Sequence, residues 1–420
     1  MATSYALVAA SAVFVLTYAL ISLRQVARIP LERPASAMLG ASLMLALGVV
    51  GPADALAAIN LDVILLLVGM MAVVSGLEVC GFFDAVSVRI ARGASTQTGF
   101  LAALMIVTAG LSALVVNDTV VLLLTPIVVR STRALGVNPV PHLVALAIAA
   151  NVGSVATEVG NPQNAYIAIR SGIPFLTFSA YMAPVMAACL AVSIVVVRWA
   201  YRRDLAAPFA RAPAGPPVVV QRRGVALTSA IVGGVVVAFF LTDPAWLPFI
   251  ALAGGGFVLF LVPFVARVTP RGLIAKLDWG IILFFVGLFV VLGGVRASGL
   301  SAAIQGGFTS TFGGEGGLLW LTSFSALLSN LISNVPAVLL LAEVVAGAGG
   351  TTQGWLALAA SSTLAGNATI LGAAANVIVV QLAAREGVQV SMKDFVRAGL
   401  PVTAATLVLS TAMIALLVPA

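Results

Sequence analysis

A chain of 420 residues that is 61% hydrophobic and only 8% charged does not fit a water-soluble domain, in which about a quarter of residues carry charge. Its apolar surplus exceeds what one water-facing core can hide, so the bilayer is its natural solvent. The formal charge of +7 does not point to nucleic acid, because the basic residues follow a membrane topology instead of forming a patch.

A membrane span needs roughly 20 apolar residues. The first charge-free stretch lacks the basic leader of a cleaved signal peptide and is expected to be a retained span over 5–23. Spans are expected next at 35–52 and 60–79, followed by a hairpin over 97–133 that enters and leaves on one side. An interrupted span at 142–170 and a plain one at 176–198 complete the first half, 1–198. Residues 199–223, with Pro208, Pro213, Pro216, Pro217 and several arginines, read as a cytoplasmic linker. The second half, 224–420, holds spans at 224–242, 246–266 and 279–296, a hairpin at 316–345, an interrupted span at 355–384 and a last span at 399–418. All but Arg170 and Arg296 of the 21 basic residues then fall on one side. That side is the cytoplasmic one, which places both termini outside the cytoplasm. If the hairpins crossed fully, this partition would be lost.

Within the first hairpin, apolar arms flank Asn117-Asp118-Thr119. Each arm is expected to be short for a full crossing, and polar backbone at membrane depth survives only beside protein or a wet cavity. A carboxylate there costs a few kcal/mol unless it is paired, protonated or functional. Capping of the second arm is the plainer role for Asn117 and Asp118. The interrupted span runs from Asn151 through Thr157, Glu158, Gly160, Asn161, Pro162 and Gln163 to Asn164. Pro162 does not fit a helix interior, and unwinding frees carbonyl and N–H groups. Glu158 and Asp118 are candidate proton carriers. Glu78, near a span end beside Arg89 and Arg92, reads as interfacial. His142, the one histidine, follows Pro141 at a helix start and is expected to cap it or face the interface. Cys80 and Cys189 sit in apolar runs and indicate neither a disulfide framework nor a zinc site.

Three blocks of the first half recur in order in the second. Asp62 with Gly69, Gly76 and Gly81 matches Asp278 with Gly287, Gly294 and Gly299, at the same glycine spacings. Asn117 and the leucines after it match Asn334-Val335-Pro336 and its leucines. Ala156-Thr157-x-x-Gly160-x-x-x-Asn164 matches Ala368-Thr369-x-x-Gly372-x-x-x-Asn376. An odd number of spans per half inverts the second half, the arrangement of many secondary transporters. The fold expected is all-α and integral to the membrane, with two inverted repeats of about five spans, each carrying a re-entrant hairpin and a broken helix. The tips and breaks nominate Asn117, Thr119, Thr157, Asn164, Asn334, Thr369 and Asn376 for substrate binding, and Asp118 and Glu158 for proton or ion coupling.

No phosphate loop, zinc-protease helix, nucleophile elbow or dinucleotide fingerprint occurs in the chain. The expectation is therefore a non-enzyme without cofactor, driven by an ion gradient or by a partner subunit. The segments Asn117-Asp118-Thr119 with Thr125-Pro126, Gly160-Asn-Pro-Gln-Asn164, Ser333-Asn334-Val-Pro336 and Gly366-Asn-Ala-Thr369-x-x-Gly372-x-x-x-Asn376 resemble the ion transporter superfamily. Its members include ArsB-type arsenite permeases, NhaD-type sodium/proton antiporters, citrate carriers and divalent anion/sodium symporters. The resemblance covers about residues 35–418 and implies a secondary transporter of the inner membrane. The carboxylate symporters carry Ser-Asn-Thr at both tips, whereas this chain has Asn117-Asp118-Thr119 and Ser333-Asn334-Val335. That departure resembles the arsenite-permease or NhaD side, although Glu158 has no matching position in the arsenite permeases. No lysine or arginine falls in a tip or break, so no bidentate clamp for a dianion is offered there. Proton-coupled efflux of arsenite or antimonite is the leading expectation. Citrate or dicarboxylate transport, and sodium/proton exchange, are the alternatives. The partners implied are a small inorganic substrate, a proton or sodium ion and membrane lipid, and not nucleic acid. A soluble ATPase partner and a homodimer are both compatible with the chain.

Overall fold

In hydrocarbon every backbone polar group must find its partner within the protein, and helices do this segment by segment. The computed structural model describes residues 2–27, 32–206, 219–302 and 316–419, and among these residues there is no strand. In chain order the helices are α1 (Ala2–Ala27), α2 (Arg33–Ala46), α3 (Pro52–Ala58), α4 (Leu61–Val79), α5 (Phe82–Gly93), α6 (Gln97–Leu114), α7 (Asn117–Ala134), α8 (Pro139–Ser154), α9 (Pro162–Ser171) and α10 (Phe175–Ala200). They continue with α11 (Arg222–Leu241), α12 (Leu247–Val265), α13 (Pro270–Ile274), α14 (Trp279–Ala297), α15 (Gly317–Ile332), α16 (Asn334–Gly347), α17 (Thr352–Ala365), α18 (Ala374–Arg385) and α19 (Met392–Leu417). Seven of the described helices are long and apolar enough to cross a membrane. The chain is thus an all-α membrane protein.

Local chemistry sets the helix boundaries. Asn60 and Asp278 accept from the N–H groups of Val63 and Ile281, starting α4 and α14. Asn138 caps α8, with Pro139 in the first turn. The last helix begins at Met392, ahead of the expected 399, because Ser391 and Asp394 form a reciprocal capping box. The arm α6 has 18 residues, which is longer than expected for a re-entrant segment. At 1.5 Å per residue it extends about 27 Å, close to the bilayer core of about 30 Å. Arm length therefore does not separate a re-entrant from a crossing segment.

The helices sort into two groups by their packing. A frame consists of α1–α4 and α11–α14, in which α4 lies across α12 and α14 across α2. A hairpin layer consists of α6–α10 and α15–α19, in which α6 packs on α8, α15 on α17 and α10 on α19. The amphipathic α5 leans on α6 and α7. Contacts between frame and layer are fewer and run through α4 with α9, α1 with α15, α10 with α11, and α14 with α16. The two frame crossings need glycine. A Cβ on Gly69 would lie 2.3 Å from the Ala251 carbonyl carbon, and one on Gly287 would lie 2.6 Å from that of Ala37. Backbone approach of this kind drives helix association where lipid removes the hydrophobic incentive.

Glu78, near the end of α4, pairs with Lys276 at 2.6 Å across the frame. One sequence expectation is corrected. His142 faces inward: it is fully buried, its Nδ1 lies 3.1 Å from the Asn138 carbonyl oxygen and its ring lies 5.1 Å from Phe100. It belongs to the α6–α8 packing because α8 is buried on every side. Of the expected linker, residues 207–218, with its four prolines and Arg211, lie outside the described residues. Its start is held to α19, where the Tyr201 hydroxyl donates to the Asp394 carbonyl and Arg397 pairs with Asp204 at 3.3 Å.

Replacing Gly69 by Ala should cost about 1–3 kcal/mol through overpacking. Gly110→Ala, where nothing lies within 4 Å of the added Cβ, should be neutral or slightly stabilising. Thermal unfolding of the two variants in detergent, compared with the parent chain, checks the difference.

Candidate functional site

Both interrupted spans break where the sequence concentrates glycine and asparagine. Helix α8 stops at Ser154 and α9 resumes at Pro162, while α17 stops at Ala365 and α18 resumes at Ala374. The two breaks are closed by the same device. Asn164 Nδ2 donates to the carbonyls of Ser154 (3.1 Å) and Thr157 (3.0 Å). Asn376 Nδ2 donates to the carbonyls of Gly366 (2.7 Å) and Thr369 (2.8 Å). Each asparagine reaches back ten and seven residues to carbonyls that the missing helical turn leaves unpaired, which would otherwise be costly in a buried setting. Asn161 and Thr369 do the equivalent work for N–H groups, accepting from Asn164 and Gly372 at 2.8 and 3.0 Å.

The breaks are stitched together by an amide cluster. Asn117 Nδ2 donates to Asn151 Oδ1 at 3.1 Å, and Asn151 Nδ2 donates to the Oδ1 atoms of Asn367 and Asn376, both at 3.0 Å. Asn151 thereby joins the first hairpin tip to the second break. In the corresponding register of the second half, six residues before the Ala-Thr threonine, stands Thr363. Its Oγ1 accepts from Asn161 and Gln163, each at 3.2 Å.

Each hairpin tip is docked on the break of its own half. The Asn117 N–H donates to the Gly160 carbonyl at 2.9 Å, and Thr157 Oγ1 donates to the Ala113 carbonyl at 2.5 Å. In the second half Asn330 Nδ2 donates to the Ala365 carbonyl at 2.9 Å, and Asn334 Nδ2 lies 3.1 Å from where a Cβ on Gly366 would stand. Ser333, between α15 and α16, has φ 76° and ψ 158°. It is the one non-glycine residue with positive φ among the described residues, in a region that side chains pay 1–3 kcal/mol or so to enter. Its carbonyl starts α16 by accepting from the Ala337 N–H at 3.2 Å.

Between the tips, the second break and the starts of α2 and α14 lies a cavity of about 940 Å³. The tips supply Asn117, Asp118, Ser333, Asn334 and Val335, and the breaks supply Pro162, Gln163, Ile370, Leu371 and Ala373. Phe284 and Phe285 of α14 and an apolar face of α18 form its walls. Glu32, Arg33, Asp278 and Arg385 bring both signs of charge. Asp118 is half-buried in the first turn of α7, where the helix dipole favours a carboxylate.

Of the residues nominated from sequence, Asn117, Asp118 and Asn334 line this cavity and Thr119 stands one residue outside it. Thr157, Asn164, Thr369 and Asn376 are engaged in closing the breaks, as described. Glu158 is wholly buried in the first break, and neither carboxylate oxygen has a hydrogen-bond partner among the described residues. Sequence reasoning did not nominate Asn151, Gln163, Asn367, Ser333, Arg33 or the two phenylalanines. An asparagine standing alone in the apolar run of α8 was the available signal for Asn151.

Deep amide-lined helix breaks and hairpin tips facing one cavity, in a bundle of membrane-length helices, define a polytopic membrane transporter. The chain belongs to the citrate transporter family, whose model matches residues 18–365. An uncharacterized transporter of Mycobacterium tuberculosis is 34% identical over 418 residues, covering 95% of this chain and 96% of the relative. A silicon efflux transporter of Oryza sativa subsp. japonica is 30% identical over 420 residues, covering 85% of this chain and 86% of the relative. A Dictyostelium discoideum transporter named arsB is 30% identical over 179 residues, covering 42% of this chain and 31% of the relative.

Replacing Asn151 by Ala should cost about 2–4 kcal/mol, since it strips partners from three buried amides. Ser333→Gly should raise stability by about 1 kcal/mol by releasing backbone strain. Chemical unfolding in detergent reads both signs.

Proposed function

We propose that this transporter exports a small, uncharged, hydroxylated inorganic acid, arsenous or antimonous acid foremost, in exchange for protons. The carrying observation is the cavity's charge balance. Asp118, Glu32 and Asp278 stand against Arg33 and Arg385, so the lining holds no surplus of positive charge for a polyanion. Amide and hydroxyl groups at the tips suit a neutral molecule with several O–H groups, which both donates and accepts. Silicic acid has the same chemistry, and similarity to a silicon efflux transporter supports this substrate class. In this reading Asn117, Ser333 and Asn334 hold the substrate with backbone groups of the tips. Asp118, at the cavity surface, takes and releases the coupling proton, and Glu158 is its buried second station.

The halves 1–198 and 224–420 are read as inverted repeats. Their hairpins are read as re-entrant because both tips dock on breaks in the middle of spans. On the distribution of the basic residues, the mouth at Arg33 and Arg385 is read as cytoplasmic, in a cell with this protein in its inner membrane, and both termini are read as lying outside. The pocket would open to one side at a time as the hairpin layer moves against the frame. Neither an ATPase partner nor a second copy is needed for this cycle.

Citrate or dicarboxylate transport is the second reading. Arg33 and Arg385 on the cavity wall favour it, as does the family's description. Flux into everted membrane vesicles or proteoliposomes under imposed proton and sodium gradients separates the two. Arsenite uptake driven by an acidic lumen, lost at least tenfold in Asp118→Asn, is expected. Sodium-driven citrate uptake without arsenite flux would replace the first reading by the second.

A further inference from the structure

The cavity reaches only part of the way along the helices that form it. Helix α14 contributes its cap Asp278 and then Gly280, Ile281, Phe284 and Phe285, all at its start. Its last turn carries Arg296, eleven residues beyond Phe285 and so about 16 Å further along the axis. Helix α16 likewise gives Asn334 and Val335 to the cavity, and carries Glu343 nine residues, or about 14 Å, further on. At this far end Glu343 meets two cations. Its carboxylate lies 3.8 Å from Arg296 and 3.6 Å from Arg170, which ends α9. The carboxylate is 19% exposed and the arginines about half exposed, at 46% and 41%. These two arginines are the pair that the sequence separates from every other basic residue.

The three residues come from three different helices in two packing groups. Arg296 belongs to the frame, and Glu343 and Arg170 belong to the hairpin layer, one from each half of the chain. Of the ion pairs among the described residues, Lys276–Glu78 lies within the frame, Arg397–Asp204 and Arg170–Glu343 within the layer, and Arg130–Asp84 ties the layer to α5. Arg296–Glu343 crosses from frame to layer. Between the cavity and this pair, Phe289 of α14 meets Tyr166 of α9 with ring centroids 5.9 Å apart. Beside the pair is a void of only about 10 Å³, bounded by Leu292, Leu340 and Val344 among others, which has room for a single water.

We propose that the Arg296–Glu343–Arg170 cluster is a charge latch that holds the far end of the transporter shut while the cavity is open at its mouth. Opening the far end requires α14 to part from α16, which breaks the Arg296–Glu343 pair between them. A charge pair has a defined position and favours the arrangement in which it is made. Removing the pair removes a differential interaction and shifts the population toward the alternative state. The proposal rests on the transport reading only for its role in a cycle. The latch itself is a statement about two conformations.

The test uses full-length protein in nanodiscs. Its native thiols, Cys80 and Cys189, are buried and give little background labelling. Val344→Cys reports the far end, where Val344 is 1% exposed, and Ile378→Cys reports the cavity wall. Glu343→Gln and Arg296→Met, each alone and together, are introduced beside each reporter, and maleimide labelling rates are measured. Either substitution should speed labelling of the Val344 reporter and slow that of the Ile378 reporter, by about two- to fivefold for a partly exposed pair. The double variant should add nothing further. Unchanged rates, or faster labelling at Val344 with no change at Ile378, would mean no latch or mere local loosening, and either would overturn the proposal. Flux through the unsubstituted protein is measured separately. Its absence would count against the transport reading and leave the labelling result standing for the latch.

Discussion

The structure depends on one constraint: two helices are broken at depth in a solvent that cannot satisfy the freed backbone groups. A free carbonyl in hydrocarbon costs several kcal/mol, so each break survives only if the chain supplies its own substitutes for water. Asparagine is suited to this because a single side chain both donates twice and accepts. Asn164 and Asn376 use both amide hydrogens on carbonyls of their own breaks. Asn151 then uses its amide to tie the breaks to each other. A buried network of this sort is either complete or harmful, and this one is complete at Asn151 and Asn376. It stays open at Asn164 Oδ1 and Asn367 Nδ2, which have no partner among the described residues.

The hairpin tips follow from the breaks. A tip at membrane depth needs a polar surface to rest on, and the exposed carbonyls of Gly160 and Ala365 provide one. Tip and break are therefore one unit in each half, and the amide cluster makes the two units one floor. The walls are a different kind of surface. They come from the frame helix α14 and from α18, and are largely apolar, with Asp278 at the start of α14 and Arg385 at the end of α18. A pocket with a polar floor and apolar walls orients a small ligand at one end while leaving its route open.

Much of this was legible in the sequence for physical reasons that can be named. Spans show themselves by composition, and the matched blocks Thr157–Asn164 and Thr369–Asn376 mark the breaks because a polar run in an apolar chain has few other uses. The tips were found by the same reasoning. The sequence did not reveal which polar residues hold the scaffold and which face the cavity. Thr157 and Asn164 look as suited to a ligand as Asn117 does, and only the fold shows their hydrogen bonds turned inward on the break. Nor does a sequence place Arg33, Phe284 or Phe285 in the cavity, since they lie far along the chain from the tips and reach it only through helix packing. His142 was misplaced for a related reason. Its neighbour in sequence, Pro141, stood in for its neighbours in space, of which Phe100 was the one that mattered.

The two halves share an architecture but not a charge distribution. Asp118 at the first tip and the buried Glu158 of the first break both lie in the first half. The second half instead places a strained Ser333 and a proline at its tip. In the first tip Asn117 Oδ1 accepts from the Asp118 N–H at 2.9 Å. In the second tip Asn334 is followed by Val335 and Pro336, which has no N–H to satisfy. The chain there turns with Ser333 at positive φ, beside Asn330, whose Nδ2 donates to the Ala365 carbonyl of the second break. The two halves, however alike in plan, thus give the cavity different tips, with the carboxylate of Asp118 in the first and Ser333 at positive φ in the second.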